Sequence, residues 1–250
     1  MSMPHVDYND ESYDYKEYWE GRDYENQSEF IALRKLLPTD FDEKRSVIDI
    51  GGGFGRLLPV LKDSFGDVTI FDYSQKLLDD ANLTGEKLGL KIKTIKGDIF
   101  SISQSVGRKY DCAVMVRVSH HLDDLEKVFL EVSKILEPGG IFILEVANKI
   151  HFKAVITNLF KRNFSYFDKD PVSVATKDVT FLNHHPMYVE KLLTDSGFKI
   201  EKMLSVSNLR SPLLKKFIPL KLLLIKEKFL QDILTPFYFG PSIFYKLKKE

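Results

Sequence analysis

Val47-Ile48-Asp49-Ile50-Gly51-Gly52-Gly53-Phe54-Gly55-Arg56-Leu57-Leu58 is the stretch that decides the fold: a short β-branched run enters a glycine cluster, and apolar residues of helical spacing follow. That is the signature of a strand, a tight loop and a helix, the opening half of a βαβ unit. Gly51, Gly53 and Gly55 fall in a G-x-G-x-G spacing. Glycine is required where the backbone turns with positive φ or where a ligand must approach it without a Cβ in the way, and the helix beyond offers free N–H groups. A bare turn or a dinucleotide site would also use such a loop. The dinucleotide fingerprint, however, needs G-x-G-x-x-G, whose last glycine permits close helix packing beside a pyrophosphate. Arg56 stands at that place, and counting from Gly52 fails because position 54 is Phe. The loop suits a cofactor without a pyrophosphate, one whose amino-acid tail lies across the glycines.

The same rhythm repeats outward. Val68 to Asp72, Ile92 to Ile95, Ala113 to Val118 and Ile141 to Val146 are further short strands separated by helix-period segments, the alternation that builds a parallel sheet. Leu125, Val128, Phe129, Val132, Ile135 and Leu136 form one apolar helical stripe, with Asp123 expected as N-cap, Glu126 three residues on, and Glu137-Pro138-Gly139-Gly140 as the closing turn. The pattern loosens through 147–180. Tyr188 to Ser196 then reads as a helix, Phe198 to Val206 as a sixth strand and Ser242 to Leu247 as the last. With 250 residues and 44% apolar content, the chain is expected to form one domain. Its parts read as an N-terminal helical lid (1–45), a cofactor-binding core (46–146) and a substrate-side half (147–250) with an insertion at 207–240.

Two carboxylates follow the glycines. Strand two ends in Phe71-Asp72-Tyr73-Ser74, 17 residues after Gly55, where a carboxylate can accept from both hydroxyls of a ribose. Asp72 or, better placed, Ser74 can also cap the helix from Gln75. After strand three, Lys96-Gly97-Asp98-Ile99 offers a carboxylate for an exocyclic amine and an apolar cover for a ring face; alone, Gly97-Asp98 is an ordinary turn pair.

Glycine loop, strand-two aspartate, Gly-Asp after strand three, Tyr110-Asp111-Cys112 leading to His120-His121-Leu122, and the Glu-Pro-Gly-Gly turn occur in order. This set resembles the class I S-adenosylmethionine-dependent methyltransferases of the small-molecule type. The resemblance implies an α/β fold with a Rossmann-like seven-stranded, mostly parallel sheet, its last strand (Ser242 to Leu247) antiparallel, helices on both faces and helical lid elements. It implies S-adenosylmethionine as cofactor, with Asp49 and Gly51, Gly52, Gly53 and Gly55 at the methionine end, Asp72 at the ribose, Asp98 and Ile99 at the adenine, Arg117 beside the methionine tail, and Tyr73 among the cofactor-binding residues. Arg117 departs from the small or apolar residue more usual there and can pair with a carboxylate of cofactor or acceptor. Tyr15-Lys16-Glu17-Tyr18-Trp19-Glu20-Gly21-Arg22 resembles the N-terminal lid of such enzymes, with Tyr18 near the sulfonium and Arg22 reaching the cofactor carboxylate; an aromatic patch packing the first helix is the other reading.

Methyl transfer asks the protein mainly to align acceptor and methyl and to exclude water. Should a proton need removing, histidines are the candidates: His120 and His121 after strand four, His184 and His185 before the late helix, with His121 and His185 taken as catalytic. Neither pair has the spacing of a zinc site, and no metal is expected. Lys plus Arg and Asp plus Glu both total 36, so no basic field favours nucleic acid, and Arg117-Val118-Ser119-His120-His121 lacks the Asn/Asp-Pro-Pro-Tyr motif of base-methylating enzymes. A small-molecule acceptor is expected, with O- or N-methylation. The sole cysteine, Cys112, and the absence of an apolar h-region in 1–20 point to a reducing, cytoplasmic setting; a monomer or homodimer is expected. Leu213 to Leu234 alternates leucine and isoleucine with lysine and is broken by Pro219. It is expected to be a lid or dimer contact, with an interfacial helix for a lipid or quinone acceptor as the alternative. A cofactor-binding protein without turnover is the rival outside enzymes.

Overall fold

Ile48 and Ile50 turn to one side of the first strand and Val47 to the other, and both sides are covered by buried side chains, as expected of a parallel strand sandwiched between helices. The computed structural model describes residues 15–175 and 180–250. The part of the expected lid at 1–14 lies outside the described residues. In chain order the elements are α1 (Asp23–Leu36), β1 (Asp42–Ile50), α2 (Leu58–Leu61), β2 (Phe65–Asp72), α3 (Gln75–Lys87), β3 (Ile92–Lys96), α4 (Ile102–Val106), β4 (Tyr110–Met115), α5 (Leu125–Ile135) and β5 (Leu136–Ala147). They continue as α6 (Phe152–Phe160), β6 (Val172–Ala175), β7 (Thr180–Asn183), α7 (Pro186–Asp195), β8 (Phe198–Val206), α8 (Pro212–Phe217), α9 (Leu220–Ile233) and β9 (Ser242–Lys249).

Seven strands form one sheet in the order β3-β2-β1-β4-β5-β9-β8; β9 runs antiparallel to both neighbours and the other pairings are parallel. The Rossmann-like sheet with its reversed last strand is therefore present. One apolar layer packs α4, α5 and α7 on the sheet through Ile102, Phe129, Val132 and Leu193; the other packs α1, α2 and α3 through Leu33, Leu61 and Leu78. Each such fully buried side chain contributes about 1.5–3 kcal/mol.

Several boundaries differ from the sequence expectation. The cap of α5 is Asp124, not Asp123: its carboxylate accepts from Lys127 N at 3.0 Å, because buried Leu125 is already the first helical residue. Strand β4 stops at Met115 rather than 118, since Arg117 adopts φ 65 and leads the chain out of the sheet. Glu137-Pro138-Gly139-Gly140 is not a loop before strand five but an irregularity within β5: Tyr110 pairs with Leu136 and Cys112 with Ile141. The helix after the glycines is the single turn α2. The loose stretch resolves into α6 and the β6–β7 hairpin. Among the described residues, no helix is long and apolar enough to cross a membrane.

Candidate functional site

Where β1 to β4 end, their outgoing loops enclose a cavity of about 490 Å³. This is the carboxyl edge of the parallel strands, the place where open α/β sheets bind ligands. Gly51, Gly53, Asp72, Tyr73, Asp98, Ile99, Arg117 and His121 all line it, so eight of the fourteen residues singled out in the sequence come together. Tyr18, Arg22, Asp49, Gly52, Gly55 and His185 are not in its walls. Tyr15, Phe71 and Leu122, which stand in the quoted motifs, line it as well, and so does Leu77, which no motif marks.

Glycine is enforced by packing as well as by dihedral. Gly51 has φ 67, and a Cβ on it would stand 2.4 Å from Val118 Cγ2. A Cβ on Gly53, φ 53, would meet only Tyr15 and Leu77, at 3.7 and 3.8 Å, and would enter the cavity. The cradle is thus shaped for a ligand lying against bare backbone. Gly51 N donates to Phe71 O at 2.7 Å, which ties the loop to the end of β2.

Asp72 is buried at that strand end; one oxygen accepts from Gly53 N at 3.0 Å and the other from Ser74 N at 2.9 Å. Burial raises its pKa, opposed by these amides. Ser74, as expected, caps α3 by accepting from Leu77 N. Asp49 lies behind the glycines, 1% exposed, with Oδ2 lacking any hydrogen-bond partner, and burial pushes its carboxyl up to about 7, with Arg56 pulling down and Asp72 adding to the rise. Asp98 is exposed at the far end and caps a 3-10 turn by accepting from Phe100 N at 2.9 Å.

The N-terminal segment joins this floor through arginines. Tyr15 stacks on Tyr18 at 5.9 Å, the Arg22 guanidinium sits 4.1 Å from the Tyr18 ring centre, and Trp19 covers the Arg56 guanidinium at 3.9 Å. Arg22 therefore lies over an aromatic ring, outside the cavity. Glu29, fully buried on α1, gives one carboxylate oxygen to Arg56 at 2.7 Å and the other to Arg117 at 2.5 Å. Arg117 N donates to Glu145 Oε2 at 3.0 Å. The carboxylates of Glu29 and Glu145 beside it raise the Arg117 pKa further, against its burial. The carboxylate that pairs with Arg117 is thus Glu29 of the protein itself. No local motif marks Glu29, since its partners lie 27 and 88 residues away.

The histidines divide. His121 is in the cavity wall, its ring 4.2 Å from that of His120, and both rings contact Phe181. Burial and the neighbouring histidines and Arg117 hold His120 well below the usual range. His184 Nε2 lies 3.3 Å from Ser119 O, and burial lowers its pKa to about 4. His185 is the N-cap of α7: Nδ1 accepts from Met187 N at 3.2 Å. This explains the earlier start of that helix, at Pro186.

Comparison with known proteins agrees with this geometry. Residues 48–144 match the sequence profile of a methyltransferase domain. An uncharacterized protein of Methanocaldococcus jannaschii is 25% identical over 210 residues, 78% of this chain and 77% of its own. A ubiquinone biosynthesis O-methyltransferase of Rickettsia canadensis is 23% identical over 64% of this chain, a match that spans 65% of the relative's length. The fold is shared with an S-adenosylmethionine-dependent methyltransferase of Clostridium acetobutylicum, at TM-score 0.59 and 17% identity, covering 94% of this chain and 97% of that one. A pocket at the end of the parallel strands, glycines that leave room for a ligand tail, and a profile match across that same core agree. Residues 48–144 thus carry a methyltransferase domain, set in the fold of the S-adenosylmethionine-dependent methyltransferases.

Proposed function

We propose that this enzyme methylates an oxygen or nitrogen of a small-molecule acceptor that enters beside His121. The observation carrying this reading is the position of His121, the one histidine of the two described pairs in the cavity wall, which it shares with Arg117, Val118, Gly51 and Gly53. Bound S-adenosylmethionine supplies an electrophilic methyl and a neutral thioether leaving group. In this reading Gly51 and Gly53 bound its amino-acid tail and Asp49 faces that end from behind the loop. Asp72 holds the ribose, Asp98 and Ile99 the adenine, and Tyr15 closes the site against water. His121 would take the acceptor's proton during transfer, the neutral thioether leaving with the cofactor. His185 is left to its capping role. A lipid-soluble acceptor is the second reading, favoured by the apolar helices that follow the sheet's carboxyl edge.

Calorimetric titration with S-adenosylhomocysteine, with NAD as control, tests the site. Saturable binding of the first alone, weakened by about tenfold or more in Asp72→Ala, is the expected result. Methyl transfer from labelled S-adenosylmethionine to hydroxylated and amino acceptors then identifies the acceptor; transfer to none but nucleic acid or protein would refute the small-molecule reading.

A further inference from the structure

The helix α9 is inverted. Its buried face carries Leu223, Glu227 and Gln231, while Leu222, Ile225, Phe229 and Ile233 are 49–64% exposed. At 100° per residue those four outward side chains fall within a sector of about 80°, opposite the buried row. The polar side chains inside are tied to the fold: Glu227 accepts from Tyr24 Oη at 2.6 Å and Ser207 N at 2.8 Å, and Gln231 Nε2 donates to Ser28 O at 2.8 Å while its Oε1 stays without a partner. The apolar face is therefore not a core face left open by chance; the helix anchors through polar contacts and presents its hydrocarbon outward. Helix α8 adds Leu213 and Phe217, 68% and 75% exposed, and Phe237 follows α9 at 72%.

Charge selects the occupant. Lys216, Lys221, Lys226 and Lys228 are exposed on these two helices. Of their acidic residues, Glu227 is buried, and Asp232 is engaged by Lys35 and Lys202. A second copy of the chain meeting this face symmetrically would gather both copies' exposed lysines into one interface, with no free carboxylate on these helices to offset them. A lid function is not supported, since no residue of 207–240 lines the cavity. We infer that the outward face of α8 and α9 docks the protein on an anionic lipid bilayer. Exposed apolar side chains enter the acyl boundary and the lysines meet lipid phosphates, as interfacial helices do. Because β8 runs parallel to β1, α8 leaves the sheet at the cavity edge, and Lys215 pairs with Glu25 at the start of α1 at 2.9 Å. Docking would hold that edge near the bilayer. The inference does not depend on which acceptor is methylated.

Flotation of the full chain with phosphatidylcholine vesicles, with and without phosphatidylglycerol, tests it. The wild type is expected to float only with the anionic vesicles and to be released by salt. A Lys216→Glu/Lys221→Glu/Lys226→Glu/Lys228→Glu variant should bind about a hundredfold more weakly or worse. Ile225→Ser/Phe229→Ser should also lose flotation while its S-adenosylhomocysteine affinity and circular dichroism stay at wild-type values, which separates this failure from failure of the cofactor site. The inference is overturned if the wild type ignores anionic vesicles or if both variants float as well as it does. It is also overturned if sedimentation shows a dimer that Ile225→Ser/Phe229→Ser dissociates and vesicles do not.

Discussion

Glu29 on α1 and Arg117 just beyond β4, 88 residues apart, meet as a buried ion pair, with Arg117 Nε donating to Oε1 at 2.7 Å. Since Arg56 holds the other oxygen of the same carboxylate, one side chain fastens α1 to both the glycine loop and the strand-four exit. Glu29→Gln leaves two guanidinium groups without their counter-charge and should cost about 3–5 kcal/mol in denaturant unfolding. Arg117→Leu should cost less, because Glu29 keeps Arg56. Equal costs would show that the shared carboxylate is not the fastening point.

Gly51 and Gly53 should separate stability from binding. Gly51→Ala puts a methyl into Val118 at positive φ and should destabilise by more than about 2 kcal/mol, partly recovered by adding Val118→Ala. Gly53→Ala has space in the protein and should lose only about 1 kcal/mol, yet weaken S-adenosylhomocysteine by calorimetry. A Gly53→Ala protein that binds normally would remove this glycine from the site.

Asp49 gives stability a pH dependence of known sign. Burial holds its folded pKa at about 7, above the 3.8 of a free aspartate, so the folded state binds the extra proton between those values. The contribution is complete below about 4 and declines as pH rises to about 7, at about 1.4 kcal/mol per pH unit. Asp49→Asn has no such proton to lose. In the absence of cofactor its unfolding free energy should improve relative to wild type on going from acid to neutral pH; a difference independent of pH would mean that Asp49 is not buried in this way.

The two histidines proposed from sequence should fail differently. His121→Ala should lower turnover about 10²-fold or more and leave S-adenosylhomocysteine affinity intact. His185→Ala should lose about 1 kcal/mol of stability and keep its turnover, with His185→Ser restoring the cap. Reversal of the two phenotypes in a transfer assay would reassign the base.

The sheet was legible because buried parallel strands are short β-branched runs closed by turn residues, and the glycine loop and two aspartates sit at strand ends fixed by that pattern. What could not be read was whatever depends on partners distant in the chain. Asp49 and Asp72 are alike as residues, yet one lies behind the loop and the other in the wall. Arg56 looked only like a missing glycine until Glu29 and Trp19 were seen around it. His185 looked like a base until its ring met Met187 N. The lysine-rich run 213–234 has a helical pattern, but only packing decides which face is inside, and here the polar one is.

The place of β9 also sets an order of events at the ribosome. Ser242–Lys249 is synthesised after every other strand, yet it lies between β5 and β8 and pairs with both along its length. Until it emerges, the nascent chain can assemble β1 to β5 around the glycine loop, but β8 has no neighbour to join and β5 offers an unpaired edge. Strands β1 to β5 can thus form early on the nascent chain, while β8, α8 and α9 wait for β9 to close the seam.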